Sequence, residues 1–158
     1  MEARILIVDD HEIVRKGIRD IIRESRPEWE ICGEASSGAE AIELGKALKP
    51  DVAILDISMP GMSGVEAASQ IAGLQGRCCV LLFTMYESKN LASLARRAQT
   101  QGYVLKSQAA NHLILAIDRV LAGGTFFGGP EAEGSPEKKK APSGGRPLLC
   151  KDLGLSCI

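Results

Sequence analysis

Five short runs of apolar residues alternate along the chain with longer stretches in which apolar residues recur every three or four positions. The runs lie at residues 4–8, 29–34, 52–55, 78–84 and 103–105. Each is almost continuously apolar, which is typical of strands covered on both faces, as in a parallel sheet. The pattern therefore predicts five buried β-strands.

The stretches between these runs have helical periodicity and recognisable ends. Residues 13–22 repeat apolar side chains at helical spacing, and a second apolar stripe at residues 113–121 ends at two glycines. Ser37 and Ser63 are predicted to cap the second and third helices, and residues 88–100 form a weaker fourth one. Regular alternation of strand and helix indicates an α/β fold with a doubly wound parallel sheet of five strands.

The amino-acid composition departs from that of a folded domain only after the last predicted helix. The 158 residues are 45% hydrophobic, which suits a single domain with one sizeable core. Between residues 123 and 147, however, 11 of 25 residues are Gly or Pro, too many for a segment that buries apolar surface. We therefore expect a domain at residues 1–124 and a disordered Gly/Pro-rich tail at residues 125–158.

Charge and cysteine content exclude several classes of function. The net charge is −1, so no global field favours nucleic acid or an anionic membrane. No apolar run approaches the ~20 residues that span a bilayer, and we expect a cytoplasmic protein that does not bind membranes. The five cysteines are odd in number and contain no Cys-x-x-Cys pair, which indicates neither a disulfide framework nor a zinc site.

Carboxylates follow two of the predicted strands. Asp9 and Asp10 come directly after the first strand and Asp56 ends the third, whereas His11 has no evident partner in the sequence. In the strand order 2-1-3-4-5, which is common in such sheets, the first and third strands are neighbours, so the three acids would meet at one rim. Like charges at short distance are costly unless a cation is shared, and oxygen ligands suit Mg²⁺. We predict a magnesium site here.

Two further polar side chains end the remaining strands. Thr84 closes the fourth strand and Lys106 closes the fifth. A hydroxyl and an ammonium directed at one carboxylate suit phosphoryl transfer, in which positioning and charge neutralisation supply most of the catalysis. Asp56 is then the expected nucleophile, forming an aspartyl-phosphate with Thr84 and Lys106 as the other catalytic residues.

These motifs together resemble a known family. VDDH, LDISMPGMSG, a strand that ends at Thr84 and GYVLK follow one another, with 28 residues from Asp56 to Thr84 and 22 from Thr84 to Lys106. Over residues 4–124 the chain is similar to the receiver domains of bacterial two-component response regulators, which have a flavodoxin-like fold. DDHEIVRKGI and VLAGGTFF look most like the subfamily whose receivers precede a LuxR-type helix-turn-helix domain.

The resemblance implies a mechanism and a partner. A sensor histidine kinase would phosphorylate Asp56 in the presence of Mg²⁺, and the phosphorylated domain would alter an output surface. By the family pattern, Asp10 and Asp56 contact the metal directly, Asp9 acts through water, and the backbone carbonyl of Ser58 is a further ligand. Thr84 and Tyr103 would form the switch. Ser58 and Tyr86 occupy positions that tune how quickly water removes the phosphoryl group.

Some questions stay open at the level of sequence. Only 34 residues follow residue 124, too few for two packed helices beside a linker, so we expect no output domain and no direct DNA binding by this chain. The resemblance leaves room for a homodimer. Two alternatives remain. The first is a Mg²⁺-dependent phosphohydrolase that forms an aspartyl-phosphate, although Ser58 stands where such enzymes commonly have a second acid. The second is a degenerate receiver that acts only as a binding module.

Overall fold

Strands and helices alternate along the chain, as the apolar pattern predicts. The computed structural model describes residues 3–74, 78–85 and 88–127. The strands are β1 (Arg4–Val8), β2 (Glu30–Ala35), β3 (Val52–Asp56), β4 (Cys79–Thr84), β5 (Gly102–Leu105) and β6 (Phe126–Phe127). The helices are α1 (Glu12–Ser25), α2 (Gly38–Leu48), α3 (Gly64–Ala72), α4 (Leu91–Arg97) and α5 (Ala109–Leu121), and a single 3-10 turn, Lys106–Gln108, joins β5 to α5.

All strands pair in parallel in one sheet with the order β2-β1-β3-β4-β5-β6. The predicted doubly wound α/β fold and the order of the first five strands are confirmed. Because β1 lies between β2 and β3, the carboxyl ends of β1 and β3 are adjacent, with Val8 opposite Leu55. Any side chain that follows either strand is therefore directed to the same rim of the sheet.

Within the described residues the sheet has six strands, one more than the five that were predicted. β6 pairs with β5, where Gly102 lies opposite Phe126. Gly102 has a φ of 150°, and a Cβ there would lie 1.9 Å from the Phe126 carbonyl oxygen, so only glycine allows this approach. Two consecutive aromatic residues supply the apolar surface that the surrounding Gly and Pro lack. The rest of the predicted tail, residues 128–158, lies outside the described residues.

The core has two layers, one on each face of the sheet. Alternate side chains of β1 enter different layers, because successive residues of a strand point to opposite faces. Ile5 and Ile7 pack with the buried faces of α1 and α5, and Leu6 and Val8 pack with those of α2, α3 and α4. Both faces of the central strands are therefore buried, which explains their nearly continuous apolar sequence.

The helix ends follow local side-chain chemistry. The hydroxyl oxygens of Ser37 and Ser63 accept hydrogen bonds from the backbone N–H groups of Glu40 and Glu66, at 3.1 and 3.2 Å, which confirms the two predicted caps. The fourth helix, α4, is shorter than the predicted range 88–100. Among the helices of the described residues, none combines the length and the apolar composition that a bilayer span requires.

Candidate functional site

The structure brings three acidic side chains together at the rim where β1 and β3 end. Asp9 and Asp10 follow β1 directly, and Asp56 is the last residue of β3. One potential metal-ligating atom from each of Asp9, Asp10, His11 and Asp56 lies within 4.8 Å of the others. The convergence expected from the strand ends is therefore present in the fold.

Lys106 joins this cluster from the end of β5. Its ammonium nitrogen Nζ lies 2.9 Å from Oδ2 of Asp9 and 3.2 Å from Oδ1 of Asp56. The lysine side chain is only 15% exposed, whereas a lone lysine is normally solvated. One ammonium group thus bridges two buried carboxylates that come from different strands.

The two oxygens of Asp56 have different surroundings. Oδ1 contacts Lys106 Nζ and also accepts a hydrogen bond from the backbone N–H of Ser58 at 3.2 Å. Oδ2 is buried and has no hydrogen-bond partner among the residues that the structure describes. A buried polar atom without a partner is costly, and such atoms often mark a binding or reaction site. Oδ2 is therefore the oxygen left open for a ligand or a reaction.

Burial and neighbouring charges shift the pKa values of this pair. Burial, followed by the negative charge of Asp9, raises the pKa of Asp56 above its ordinary value, although Lys106 acts in the opposite direction. For Lys106, burial alone would lower the pKa, but its contacts with Asp9 and Asp56 outweigh burial and raise it. Lys106 therefore stays charged at neutral pH, whereas its surroundings disfavour the charged form of Asp56.

The donor set fits a hard divalent cation. Three carboxylates face a single ammonium group, so the cluster has an excess of negative charge, and Asp56 Oδ2 is buried without a partner in the described part of the chain. Carboxylate oxygens are the ligands that Mg²⁺ prefers, and a divalent cation relieves repulsion among acids that are held together. Asp9, Asp10 and Asp56 thus form an acidic cluster that can bind a metal ion.

The loop after Asp56 is shaped by a close backbone approach. The backbone N–H of Gly64, the first residue of α3, donates to the carbonyl oxygen of Ile57 at 2.9 Å. A Cβ on Gly64 would lie 2.0 Å from the carbonyl oxygen of Asp56, so a larger residue would have to push α3 away. Glycine at this position lets α3 begin against the main chain of Asp56.

Of the remaining predicted residues, Thr84 lies at the same rim and Tyr103 lies behind it. Thr84 ends β4 and is 9% exposed, one position beyond Phe83, which pairs with Asp56. Tyr103 lies further back on β5, buried in the core layer of α2, α3 and α4, with its ring edge-on to Phe127 at 6.4 Å. Tyr86 lies outside the described residues.

Sequence reasoning missed His11, which has partners in the folded protein. Its backbone N–H donates to Asp9 Oδ1 at 2.8 Å, and its ring nitrogen Nδ1 lies 3.2 Å from that oxygen and 3.3 Å from Asp10 Oδ1. The imidazole is 63% exposed, so it covers the acid pair from the solvent side. The only signal in the sequence was its position next to two acids.

A cluster of acids bridged by a lysine, at the carboxyl ends of a parallel sheet with this strand order, defines a receiver-type α/β domain. The family model described as the response regulator receiver domain matches residues 5–118. The chain belongs to the response regulator receiver family.

Relatives and solved structures agree with this assignment. The chain is 37% identical over 123 residues to the nitrate/nitrite response regulator protein NarL of Escherichia coli K12, covering 77% of this chain and 56% of NarL. A two-component response regulator of the LuxR family from Aurantimonas sp. SI85-9A1 superimposes with a TM-score of 0.76 at 35% identity, covering 89% of this chain and 99% of that one. The isolated receiver domain of RcsB from Salmonella enterica serovar Typhimurium, solved with the phosphomimetic BeF3−, has a TM-score of 0.73 at 27% identity, covering 84% and 96%.

These matches fix the class of the domain. It is a receiver domain of two-component response regulators, of the NarL and LuxR type. The chain spans about half the length of the curated relative NarL, 56%. The likeness therefore concerns only part of that relative.

Proposed function

We propose that this chain accepts a phosphoryl group on Asp56 from a sensor histidine kinase and so switches an output surface. In the transfer, the bond between phosphorus and the kinase histidine nitrogen breaks as a bond between phosphorus and an Asp56 oxygen forms. One observation carries the proposal: Asp56 has Oδ1 held by Lys106 and Ser58, while Oδ2 is buried with no partner among the described residues.

Each catalytic residue has a distinct task in this reaction. Asp56 is the nucleophile, and the two contacts to Oδ1 fix the plane of its carboxylate so that Oδ2 is presented to the donor. Lys106 supplies a preorganised positive charge 3.2 Å from Asp56, where negative charge gathers on the transferring group. Thr84, at the adjacent strand end, would direct its hydroxyl towards the phosphoryl group after transfer.

The residues that would hold Mg²⁺ follow from the family pattern and the acidic cluster. Asp10 and Asp56 would bind it directly, Asp9 through water, and Ser58 through its backbone carbonyl. Bound there, the ion neutralises charge on the phosphoryl oxygens. Support comes from the excess of carboxylates over ammonium groups. The RcsB receiver solved with BeF3− shares this fold.

A surface next to the site suits the kinase partner. An apolar groove of about 190 Å³ runs between α1 and α5 and ends at Lys106. Its apolar lining is Val14, Ile18, Ile21, Phe83 and Ala109. Ile13, beside the acid pair, is 75% exposed although it is a large apolar residue. A kinase helix that docks here would bring its phosphohistidine to Asp56.

The output side is proposed to respond through Thr84 and Tyr103. Tyr103 packs against Phe127, whose ring also lies 4.3 Å from the guanidinium carbon of Arg96 on α4. A change at Thr84 would thereby reach β5 and α4, a two-state element biased by a local charge change. Ser58 and Tyr86 would set the lifetime of the phosphoryl group. Formation of a homodimer in the cytoplasm is one response that the altered output surface could produce.

The proposal is tested by phosphorylation in solution. Incubation with a small acyl phosphate and Mg²⁺ should add the mass of one phosphoryl group, and chelation of Mg²⁺ should abolish the addition. Asp56→Asn should remove it, whereas Asp20→Asn, on the exposed face of α1, should leave it intact. Labelling that persists in Asp56→Asn would refute the proposal.

The same preparation separates the alternatives. A phosphohydrolase would turn over a generic phosphomonoester continuously, whereas a receiver would not. A degenerate receiver would take up no phosphoryl group, and measurable Mg²⁺ affinity that is lost in Asp10→Ala would argue against it.

A further inference from the structure

Arg15 links three elements around the acidic site. It lies on α1, and its side chain is only 16% exposed. One guanidinium nitrogen, Nη1, donates to the backbone carbonyl oxygen of Asp9 at 2.5 Å. Another, Nε, donates to Glu34 on β2 at 2.9 Å. The arginine therefore fastens the start of the acidic loop to both α1 and β2.

Glu34 is held in turn by a second arginine. Arg19, one helical turn further along α1, donates from Nη1 to both carboxylate oxygens of Glu34, at 2.8 and 2.6 Å. Charged side chains as buried as these require such pairing, because an unpaired buried charge is costly. Arg19 thus holds Glu34 in place, and Glu34 orients Arg15. Of the two arginines, it is Arg15 that contacts Asp9.

Arg15 completes the fixation of Asp9. The backbone N–H of Asp9 donates to the Ala35 carbonyl at 3.0 Å, and its carbonyl accepts from Arg15. One carboxylate oxygen accepts from the backbone N–H of His11 and the other contacts Lys106. These contacts hold the main chain of Asp9 on both sides and oppose its movement away from Asp56.

We propose that Arg15 is a positioning residue that keeps the acid pair converged before the cation binds. The carboxylates repel one another, and a mobile loop would lower that repulsion by moving apart. By opposing this movement, Arg15 maintains a preformed cation site, as outer-shell contacts do at metal centres generally. The inference rests on the proposed binding of Mg²⁺ by this cluster. Arg15 itself contacts neither the cation nor the phosphoryl group.

The test compares Mg²⁺ binding in two arginine variants of the whole chain. Arg15→Ala should raise the dissociation constant for Mg²⁺, measured by calorimetric titration, by about tenfold, the lower end of the effect of outer-shell changes. Arg19→Ala removes a partner of the same glutamate but no contact to Asp9, so it should raise the constant clearly less than Arg15→Ala does. Equal effects of the two substitutions, or no effect of Arg15→Ala, would overturn the inference.

A second readout distinguishes positioning from mere loss of stability. With an acyl phosphate as donor, Arg15→Ala should need more Mg²⁺ for half-maximal phosphorylation but reach the same rate at saturating Mg²⁺. Arg15→Lys retains one donor without the guanidinium fork and should recover part of the affinity. A lower saturated rate with unchanged Mg²⁺ dependence would contradict a positioning role. If the wild type binds no Mg²⁺, the proposed function fails together with this inference. If the wild type binds Mg²⁺ but Arg15→Ala and Arg19→Ala have the same dissociation constant, this inference alone fails.

Discussion

Asp56 occupies the end of β3 with a side chain that is only 3% exposed, although its proposed reaction requires the charged form. Burial and Asp9 disfavour that charge, and Lys106 compensates them only in part, so the pKa of Asp56 is raised. In the metal-free protein, the acidic cluster therefore costs stability. This cost is what a bound cation, or a phosphoryl group paired with Lys106, would remove.

Replacing Asp56 should stabilise the metal-free protein in a pH-dependent manner. Because its pKa is raised in the folded state, wild-type Asp56 makes its full contribution to stability only below the ordinary carboxyl pKa. That contribution is lost as the pH rises through the raised pKa, whereas asparagine stays neutral. Asp56→Asn should therefore become progressively more stable than the wild type towards neutral pH, by about 1 kcal/mol. Urea unfolding in a chelating buffer, from mildly acidic to neutral pH, measures the difference.

The control removes an acid elsewhere on the molecule. Asp20 lies on α1 with its side chain 59% exposed, so Asp20→Asn should show no comparable gain with rising pH. Added Mg²⁺ should narrow the gap between Asp56→Asn and the wild type, because a ligand that binds the folded state stabilises it. A gap that is constant across the pH range would argue against burial of an uncompensated charge.

The sequence predicted which residues meet at the site but not every contact among them. Asp9, Asp10, Asp56 and Lys106 could be found because each follows a buried strand, and strand ends converge. The partners of His11 could not, since they depend on where the loop places one imidazole relative to two carboxylates. Single side-chain contacts of this kind are set by the folded backbone, not by spacing along the chain.

Among the elements, α3 begins in close contact with the main chain of the site. Gly64 brings the helix to within contact of the Asp56 main chain, where a Cβ would lie 2.0 Å from the carbonyl oxygen. The sequence indicated a helix capped by Ser63, and the cap is present. Its distance from Asp56 was not readable from helical periodicity, because periodicity describes one helix and not its separation from a strand.

Gly64→Ala should therefore displace α3 and destabilise the domain. We expect a loss of about 1–3 kcal/mol in the free energy of unfolding, the usual cost of overpacking, measured by urea denaturation. Gly17→Ala is the matched control, because a Cβ on Gly17 of α1 meets nothing within 4 Å. That control should be neutral or stabilising, since alanine has the higher helix propensity. Equal losses in both variants would contradict the close approach.

The sixth strand shows how average composition can hide an element. Phe126 is fully buried in the layer formed by α1 and α5, yet it lies in a segment whose Gly and Pro content predicts a tail. The average over 25 residues concealed two aromatic side chains. β6 can pair with β5 only because Gly102 has no side chain at the point of contact. The local sequence around Phe126 does not indicate this pairing.

Phe126→Ala should show that β6 belongs to the cooperative core. Removing a buried phenylalanine ring should lower the free energy of unfolding by roughly 3 kcal/mol. Ile13→Ala, at a residue that is 75% exposed, should change it little. Thermal or urea unfolding would reveal the difference, and a Phe126→Ala protein as stable as the wild type would show that β6 contributes nothing to the core.

For the whole molecule, topology explains both the core and the site. A parallel sheet covered on both faces leaves the strand ends as the place where polar groups can gather. The ends of β1, β3 and β5 deliver charged side chains, and the end of β4 delivers the hydroxyl of Thr84. The doubly wound fold could be predicted because alternating apolar runs and helical stripes allow few other arrangements. The strand order was instead taken from an order that is common in such sheets, and the family resemblance agrees with it. The family match at residues 5–118 agrees with that derivation.

Phosphorylation of this protein is expected at a single residue, Asp56. The most direct measurement is to treat the protein with an acyl phosphate and Mg²⁺, reduce the acyl phosphate with borohydride, and locate the reduced side chain by peptide mass spectrometry. Reduction confined to Asp56, and absent when Mg²⁺ is chelated, is the expected result. Reduction at Asp9 or Asp10, or equal reduction without Mg²⁺, would contradict the account.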